Sequence, residues 1–132
     1  MARIDNITFA CSEPVRLAEF WAAATGYMPF EPPPELAEWA NRLIAEGTLD
    51  STGWAMLVPP DGAGPRLLFQ RREKTATESI PIHLDLGADD REAEVERLVR
   101  LGATVVGTKT SDTFGETWTV MRDPEGNGFC VQ

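Results

Sequence analysis

Residues 118–126 (WTVMRDPEG) repeat, 64 positions later, the pattern of residues 54–62 (WAMLVPPDG). Both segments begin with tryptophan, continue through apolar residues and end with proline, an acidic residue and glycine. Proline followed by an acidic residue and glycine is typical of a tight turn. An apolar stretch follows each turn, at residues 67–70 (LLFQ) and 129–132 (FCVQ), so each segment predicts a β-hairpin.

The pattern before each hairpin is repeated as well. Residues 4–11 have the apolar and β-branched composition of a strand. Residues 14–25 carry apolar side chains at helical spacing, and Gly26 predicts the end of that helix. The chain therefore opens with a strand and a helix before its first hairpin.

The second copy follows the same order. Residues 80–86 are strand-like and contain His83, the single histidine of the chain. Residues 91–101 give a second helical stripe, which ends at Gly102, 76 positions after Gly26. Each copy is thus predicted to be a βαβββ module.

The first module, residues 1–72, carries an insertion that the second module, residues 78–132, does not have. The separation between matching positions falls from 76 at the glycines to 64 at the tryptophans, which leaves 12 additional residues in the first module. We predict a helix there, at about residues 34–46, with Trp39 on its apolar face. This helix either packs as an ordinary connection or covers a binding cavity, with Trp39 contacting the ligand.

The size and charge of the chain exclude some functions. Its 132 residues, 42% of them hydrophobic, fit one folded domain and argue against a disordered chain. The 21 acidic and 12 basic residues give a net charge of −9, which disfavours a nucleic-acid partner because phosphate binding needs clustered lysine and arginine. Such a charge favours a cationic small molecule, but the simpler interpretation is the charge of an ordinary soluble surface.

The sequence also predicts the compartment. No apolar run approaches the ~20 residues of a membrane span, and the N-terminus has no signal-peptide pattern. The two cysteines, Cys11 and Cys130, do not make a disulfide framework. We therefore expect a cytoplasmic protein with no membrane partner.

Several motifs together resemble the vicinal oxygen chelate superfamily, which contains glyoxalase I, extradiol dioxygenases and bleomycin-binding resistance proteins. The resemblance covers nearly the whole chain and is similar to the glyoxalase-like subgroup common in actinobacterial genomes. It implies an α+β fold in which two βαβββ modules pair, with an inserted helix in the first, and it implies a homodimer. The modules pair either within one chain or between two. The motifs are residues 19–21 (EFW), 66–70 (RLLFQ), 83–86 (HLDL), 123–127 (DPEGN) and 129–131 (FCV).

The resemblance also implies where a metal would bind. Metal ligands of the superfamily come from the first and last strands of each module, which are the positions of Asn6, Leu68, His83 and Cys130. Leu68 cannot coordinate a metal, Asn6 is a weak neutral donor, and Cys130 is a good ligand only as a thiolate. We therefore expect no cofactor and regard these four positions as vestigial. The alternative is a weakly bound divalent metal held by His83 and Cys130 with Asp85 or water.

His83 and Cys130 each have two interpretations. His83 is either a structural residue of the cavity or a general acid/base, because imidazole titrates near neutral pH. Cys130 is either an inert buried thiol or a nucleophile activated by His83.

The aromatic residues favour a binding protein. Among the four tryptophans, Trp21 lies on the apolar stripe of the first predicted helix and is expected in the core. Trp54 and Trp118 begin matching strands and either pack under the helices or face the cavity. We predict metal-independent binding of a small hydrophobic or aromatic molecule. A cationic molecule of this kind is one of the alternatives. The predicted ligand-binding residues are Asn6, Thr8, Trp39, Trp54, Leu68, His83, Asp85, Trp118 and Cys130.

Two other functions stay open on the sequence. One is an enzyme of lyase or isomerase type in which His83 is the catalytic residue, with a non-standard metal or as acid/base. The other is a dimeric regulatory or immunity module without a small ligand. The superfamily hosts many chemistries on one fold, so the resemblance does not name a substrate.

Overall fold

The structure, a computed structural model, describes residues 1, 4, 6–72, 83–112 and 115–132. The chain divides into two compact units, Met1–Lys74 and Thr75–Gln132. Each unit contains a four-stranded sheet with helices, so the predicted α+β class is confirmed. Residues 80–82 of the predicted second-module strand lie outside the described residues.

The first unit has its four strands in the order β1-β4-β3-β2. Strands β1 and β4 are parallel, and the other neighbours are antiparallel. The elements in chain order are β1 (Asn6–Cys11), α1 (Pro14–Thr25), β2 (Met28–Pro29), α2 (Pro34–Ala45), β3 (Trp54–Val58) and β4 (Arg66–Arg71).

Helix α1 covers one face of this sheet. Pro14 suits the first helical turn, and Gly26 ends the helix with φ 77°, a left-handed conformation that glycine adopts without strain. The Phe9 ring lies 5.4 Å from the Trp21 ring and stacks on Phe69 at 5.0 Å, centroid to centroid. Trp21 is 1% exposed, which confirms its predicted place in the core.

The inserted helix α2 differs from α1 in its burial. None of its residues, all of which the structure describes, is buried, and Trp39 is 53% exposed. The helix is nevertheless amphipathic, with Leu36 and Ile44 also exposed. Its apolar side therefore contributes little to the core of the first unit.

The second unit repeats the first without the insertion. Its strand order is β5-β8-β7-β6, again with the first and last strands parallel at one side of the sheet. The elements are β5 (Leu84–Leu86), α3 (Arg91–Arg100), β6 (Thr104–Thr110), β7 (Thr117–Arg122) and β8 (Gly128–Val131).

Helix α3 packs on one face of the second sheet. Asp90 caps its N-terminus by accepting a hydrogen bond from the Ala93 backbone N–H at 3.0 Å. Arg91 then donates to the buried Thr119 hydroxyl at 2.6 Å, which shows that Thr119 of β7 lies on the helix side. The buried apolar side chains of this unit include Leu98, Met121, Phe129 and Val131.

The hairpin turn of the second unit is held by one carboxylate. Asp123 is buried and accepts hydrogen bonds from the backbone N–H groups of Glu125 and Asn127, both at 2.9 Å. It also accepts from the Asn127 side-chain amide at 2.8 Å. Asp123, the residue before the Pro-Glu-Gly turn, thus fixes β7 against β8.

Among the helices of residues 6–72, 83–112 and 115–132, none is long and apolar enough to cross a membrane.

Candidate functional site

Strand alternation places four of the predicted residues on one face of the first sheet. Successive side chains of a strand point to opposite faces, and residues paired in register point to the same face. Phe9 and Phe69 face α1, so their strand neighbours Thr8 and Leu68, which pair in register, lie on the opposite face. Asn6 lies two residues before Thr8 and shares that face.

Trp54 belongs to the same face, the face opposite α1, which is called the helix-free face below. It pairs in register with Gln70, which is two residues after Leu68, and the neighbouring pair on this face is Met56 with Leu68. Trp54 is 38% exposed, while Met56 and Leu68 are half-buried. The helix-free face of the first sheet therefore combines the apolar Met56 and Leu68 with polar side chains, and it carries an accessible indole at one end.

The second sheet has a matching helix-free face. Thr119 faces α3, so its neighbour Trp118 lies on the other side of the sheet. Asp85 and Cys130 pair in register between β5 and β8, and Phe129 and Val131 on either side of Cys130 fill the helix side. Trp54 and Trp118 therefore do not pack under the helices. Each lies on the face of its own sheet that is opposite the helix.

His83, Asp85 and Cys130 form the one group of three or more potential metal ligands found among the described residues. His83 immediately precedes β5, and its Nε2 atom lies 3.2 Å from Asp85 Oδ1. One ligand atom from each of the three residues lies within 4.8 Å of the others. The side chains of His83 and Asp85 are 54% and 49% exposed, whereas Cys130 is buried.

The surroundings of Cys130 keep its thiol protonated. Burial raises the pKa of Cys130, and the nearby Asp85 carboxylate raises it further by charge and by accepting a hydrogen bond from the thiol. The Lys109 ammonium group acts in the opposite direction. A thiol with a raised pKa is a poor nucleophile, so this arrangement supports the inert interpretation of Cys130.

The four family-type metal positions do not fit a metal. In the first unit they are Asn6 and Leu68, and a leucine side chain has no donor atom. The donors that lie together are instead His83 and Cys130 with Asp85, all in the second unit.

Trp39 is the one predicted ligand-binding residue that a helix carries. It is on α2, with about half of its surface exposed. Its predicted contact with a ligand therefore depends on α2 and stays a prediction.

Some residues of these faces were not predicted from the sequence. Lys109 pairs in register with Trp118, and Val120 pairs with Cys130. A β-bulge between Val105 and Gly107 shifts the register of β6, so simple alternation along this strand does not place Lys109. The charge of Lys109 was visible in the sequence, but its position opposite Trp118 was not.

A comparison with protein families identifies the family of this chain. A model of the glyoxalase-like domain matches residues 6–132, which is nearly the whole chain. The chain belongs to the glyoxalase-like domain family. This result confirms the superfamily resemblance, while the actinobacterial subgroup stays a prediction.

Solved structures agree with this glyoxalase-like fold. A glyoxalase/bleomycin resistance protein/dioxygenase family enzyme from Burkholderia phytofirmans PsJN has a TM-score of 0.69 and 17% identity, covering 98% of this chain and 97% of its own. TnmS3, an antibiotic binding protein from Streptomyces sp. CB03234, has a TM-score of 0.63 and 19% identity, covering 100% and 95%. TioX from Micromonospora sp. ML1 has a TM-score of 0.59 and 16% identity, covering 98% and 97%.

At these identities the likeness is one of fold. No curated protein sequence matches the chain.

Proposed function

We propose that this glyoxalase-like protein binds a small hydrophobic or aromatic molecule, carrying a positive charge, on the helix-free side of its sheets and without a metal. The observation that carries the proposal is the helix-free face of the first sheet, where Trp54 is exposed beside apolar neighbours. Exposed aromatic and apolar groups with a few polar side chains are typical of small-molecule sites.

The shape of an indole explains the preference for a flat ligand. Trp54 offers a large rigid surface that stacks on aromatic rings, and such contacts add about 0.5–1.5 kcal/mol beyond the burial of area. Met56 and Leu68 lie in register next to it and supply apolar contact without polar atoms that would need partners. Asn6 and Thr8, on the same face, supply polar groups that orient a ligand.

Charge explains the preference for a cation. The chain carries a net charge of −9, and Asp85 lies on the helix-free face of the second sheet with about half of its side chain exposed. The Asp85 carboxylate attracts a cationic group, and the Trp118 indole on the same face of that sheet adds cation–π attraction. TnmS3, which shares the fold, is an antibiotic binding protein, and this supports a ligand of that general kind.

The test is calorimetric titration with a panel of aromatic cationic antibiotics and their neutral analogues, in the presence of a metal chelator. We expect binding of at least one cationic member, with Trp54→Leu weakening the affinity about tenfold or more. Val15→Ala is the matched control, because Val15 is exposed on α1 and away from the helix-free face. No binding across the panel overturns the ligand class.

A second comparison isolates the charge. Asp85→Asn is expected to weaken binding of the cationic compounds and to leave the neutral analogues unchanged. Asp61→Asn removes the same charge from an exposed turn residue and is expected to change neither. Equal effects of the two substitutions would assign the attraction to net charge rather than to Asp85.

An enzyme using His83 is the second candidate, favoured by the 3.2 Å contact between His83 Nε2 and Asp85 Oδ1. A carboxylate at this distance orients an imidazole that accepts or donates a proton. The test follows deuterium incorporation from D2O into small carbonyl compounds by NMR, with the wild-type protein and His83→Ala. Incorporation that requires His83 supports lyase or isomerase chemistry, and equal incorporation by the variant removes the acid/base role.

The homodimer and the cytoplasmic location also stay proposals. Light scattering of the purified protein at several concentrations measures the mass of the particle directly. A mass of twice 14.5 kDa supports the homodimer, and a mass of 14.5 kDa contradicts it.

A further inference from the structure

We infer that His83, Asp85 and Cys130 form a zinc-binding site contained within the second unit. The three residues come from one edge of one sheet, and their ligand atoms lie within 4.8 Å of one another. This set contains Asp85, which is not one of the four family-type positions, and it needs no residue of the first unit. The inference does not depend on the organic ligand proposed above.

The backbone positions the donor residues close together in the absence of metal. Asp85 and Cys130 face each other in register across the parallel strands β5 and β8. His83 immediately precedes β5, and the 3.2 Å contact of its Nε2 atom with Asp85 Oδ1 shows that the two side chains lie on the same side. The sheet therefore holds the backbone of Asp85 and Cys130 in place, and side-chain rotation closes the site.

The distances are compatible with tetrahedral zinc. Zn–ligand lengths of about 2.0–2.3 Å place tetrahedral ligand atoms about 3.3–3.8 Å apart. The His83 and Asp85 donors are already 3.2 Å apart. Closing the widest separation requires a movement of about 1 Å, which the half-exposed His83 and Asp85 side chains allow. Cys130, buried in the sheet, acts as the fixed donor.

The donor types select the metal. Imidazole nitrogen, thiolate sulfur and carboxylate oxygen are the three kinds of ligand that zinc takes, whereas calcium and magnesium require oxygen donors. With Cys130 deprotonated, the thiolate and the Asp85 carboxylate balance the double positive charge of the ion. Three protein ligands leave a fourth position for water or another ligand.

Binding of zinc changes the protonation of Cys130. Asp85 and Cys130 face each other across β5 and β8, so one ion contacts both groups. A zinc ion bound by both groups replaces the thiol proton, so metal binding is accompanied by proton release. Lys109 is the cationic group that acts on Cys130, and its charge opposes a metal ion at this position.

The test titrates the chelator-treated full chain with cobalt(II), a coloured substitute for zinc, and then displaces the cobalt with zinc. We expect a thiolate-to-cobalt absorption band that saturates at one equivalent and is lost on adding zinc. His83→Ala and Asp85→Asn are each expected to weaken zinc binding tenfold or more. A folded wild-type protein without the band overturns the site, and so does Asp85→Asn binding as tightly as the wild type.

The cysteine is tested without relying on a core substitution. Cys11→Ser alters the other buried cysteine, which lies in the first unit, and is expected to leave the cobalt band unchanged. In the wild-type protein, zinc is expected to protect Cys130 from alkylation and to leave Cys11 unaffected. Equal protection of both cysteines, or of neither, contradicts a site at Cys130.

The organic-ligand proposal and the zinc proposal are tested by independent measurements. Organic-ligand binding is measured with chelator present, and zinc binding is measured without an organic compound. Loss of one result leaves the other intact.

Discussion

Asp85 lies opposite Cys130 on neighbouring parallel strands, just as Thr8 lies opposite Leu68 in the first unit. The two units thus present the same backbone positions with different chemistry. One pair offers a carboxylate and a thiol, and the other offers a hydroxyl and an alkyl group. Metal binding is therefore expected from the second unit, and apolar contact from the first.

The first prediction concerns the reactivity of Cys130. Burial and the Asp85 carboxylate raise the pKa of this thiol, so little thiolate is present at neutral pH. We expect alkylation of Cys130 by iodoacetamide in metal-free protein to be at least about tenfold slower than that of a free cysteine. Asp85→Asn removes one cause of the raised pKa and should increase the rate.

Mass spectrometry after timed alkylation measures this rate for each cysteine. The urea-unfolded protein is the control, in which both cysteines should react as free thiols. Alkylation of folded Cys130 faster than free cysteine would contradict the prediction and revive the activated nucleophile.

The second prediction concerns the hairpin turn of the second unit. Asp123→Ala removes a buried acceptor of three hydrogen bonds and is expected to lower the free energy of unfolding by about 2–4 kcal/mol. Asp61 in the corresponding turn of the first unit is exposed and accepts from the Ala63 N–H at 2.9 Å. Asp61→Ala should therefore cost about 1 kcal/mol or less in urea denaturation, and equal losses would contradict the prediction.

The repeat made much of the fold predictable from the sequence. His83 follows Asn6 by 77 positions, and Asp85 follows Thr8 by the same number, which matches the register partners found in the two sheets. Gly26 directly follows α1, and Gly102 follows the last residue of α3 by two positions; both glycines have positive φ. Local chemistry and repetition were sufficient here, because each element carries its own start and stop signals.

The composition of the site was harder to predict. Strand alternation alone does not show which face of a sheet carries the helix. The contact of Phe9 with α1 and that of Thr119 with α3 identify this face in each sheet. The bulge in β6 changes the alternation without a proline or a distinctive residue to mark it. Asp85 was predicted as a possible metal ligand, but its 3.2 Å distance from His83 depends on side-chain rotamers that the sequence does not specify.

The third prediction concerns pH and a loop of the first unit. The Thr52 hydroxyl donates to Asp50 at 2.7 Å, its backbone N–H donates at 2.9 Å, and Arg71 pairs with the same carboxylate at 2.6 Å. These contacts, the Thr52 hydroxyl first, hold the pKa of Asp50 below its usual value. Asp50 therefore stabilises the fold above the unfolded-state pKa of about 3.9, and this contribution is lost as the pH falls through the folded-state pKa.

The measurement is the urea midpoint of wild type and Asp50→Asn at neutral pH and below about pH 3. We expect the wild type to be the more stable at neutral pH, and the difference to shrink in acid. Thr52→Val removes the hydroxyl donor to Asp50 and should likewise reduce the pH dependence of the urea midpoint. A difference that stays constant with pH would contradict the role of the ionised carboxylate.

The last prediction separates the two interpretations of α2. Trp39 is half-exposed, so Trp39→Ala should change the free energy of unfolding by no more than about 0.5 kcal/mol. Trp21→Ala is the matched control in the core of the same unit, and it should cost about 3–5 kcal/mol. Because Trp39→Ala leaves the fold intact, its ligand affinity is directly interpretable. Weakened binding of the aromatic compounds identifies α2 as a cover for the ligand, and unchanged binding identifies it as a surface connection.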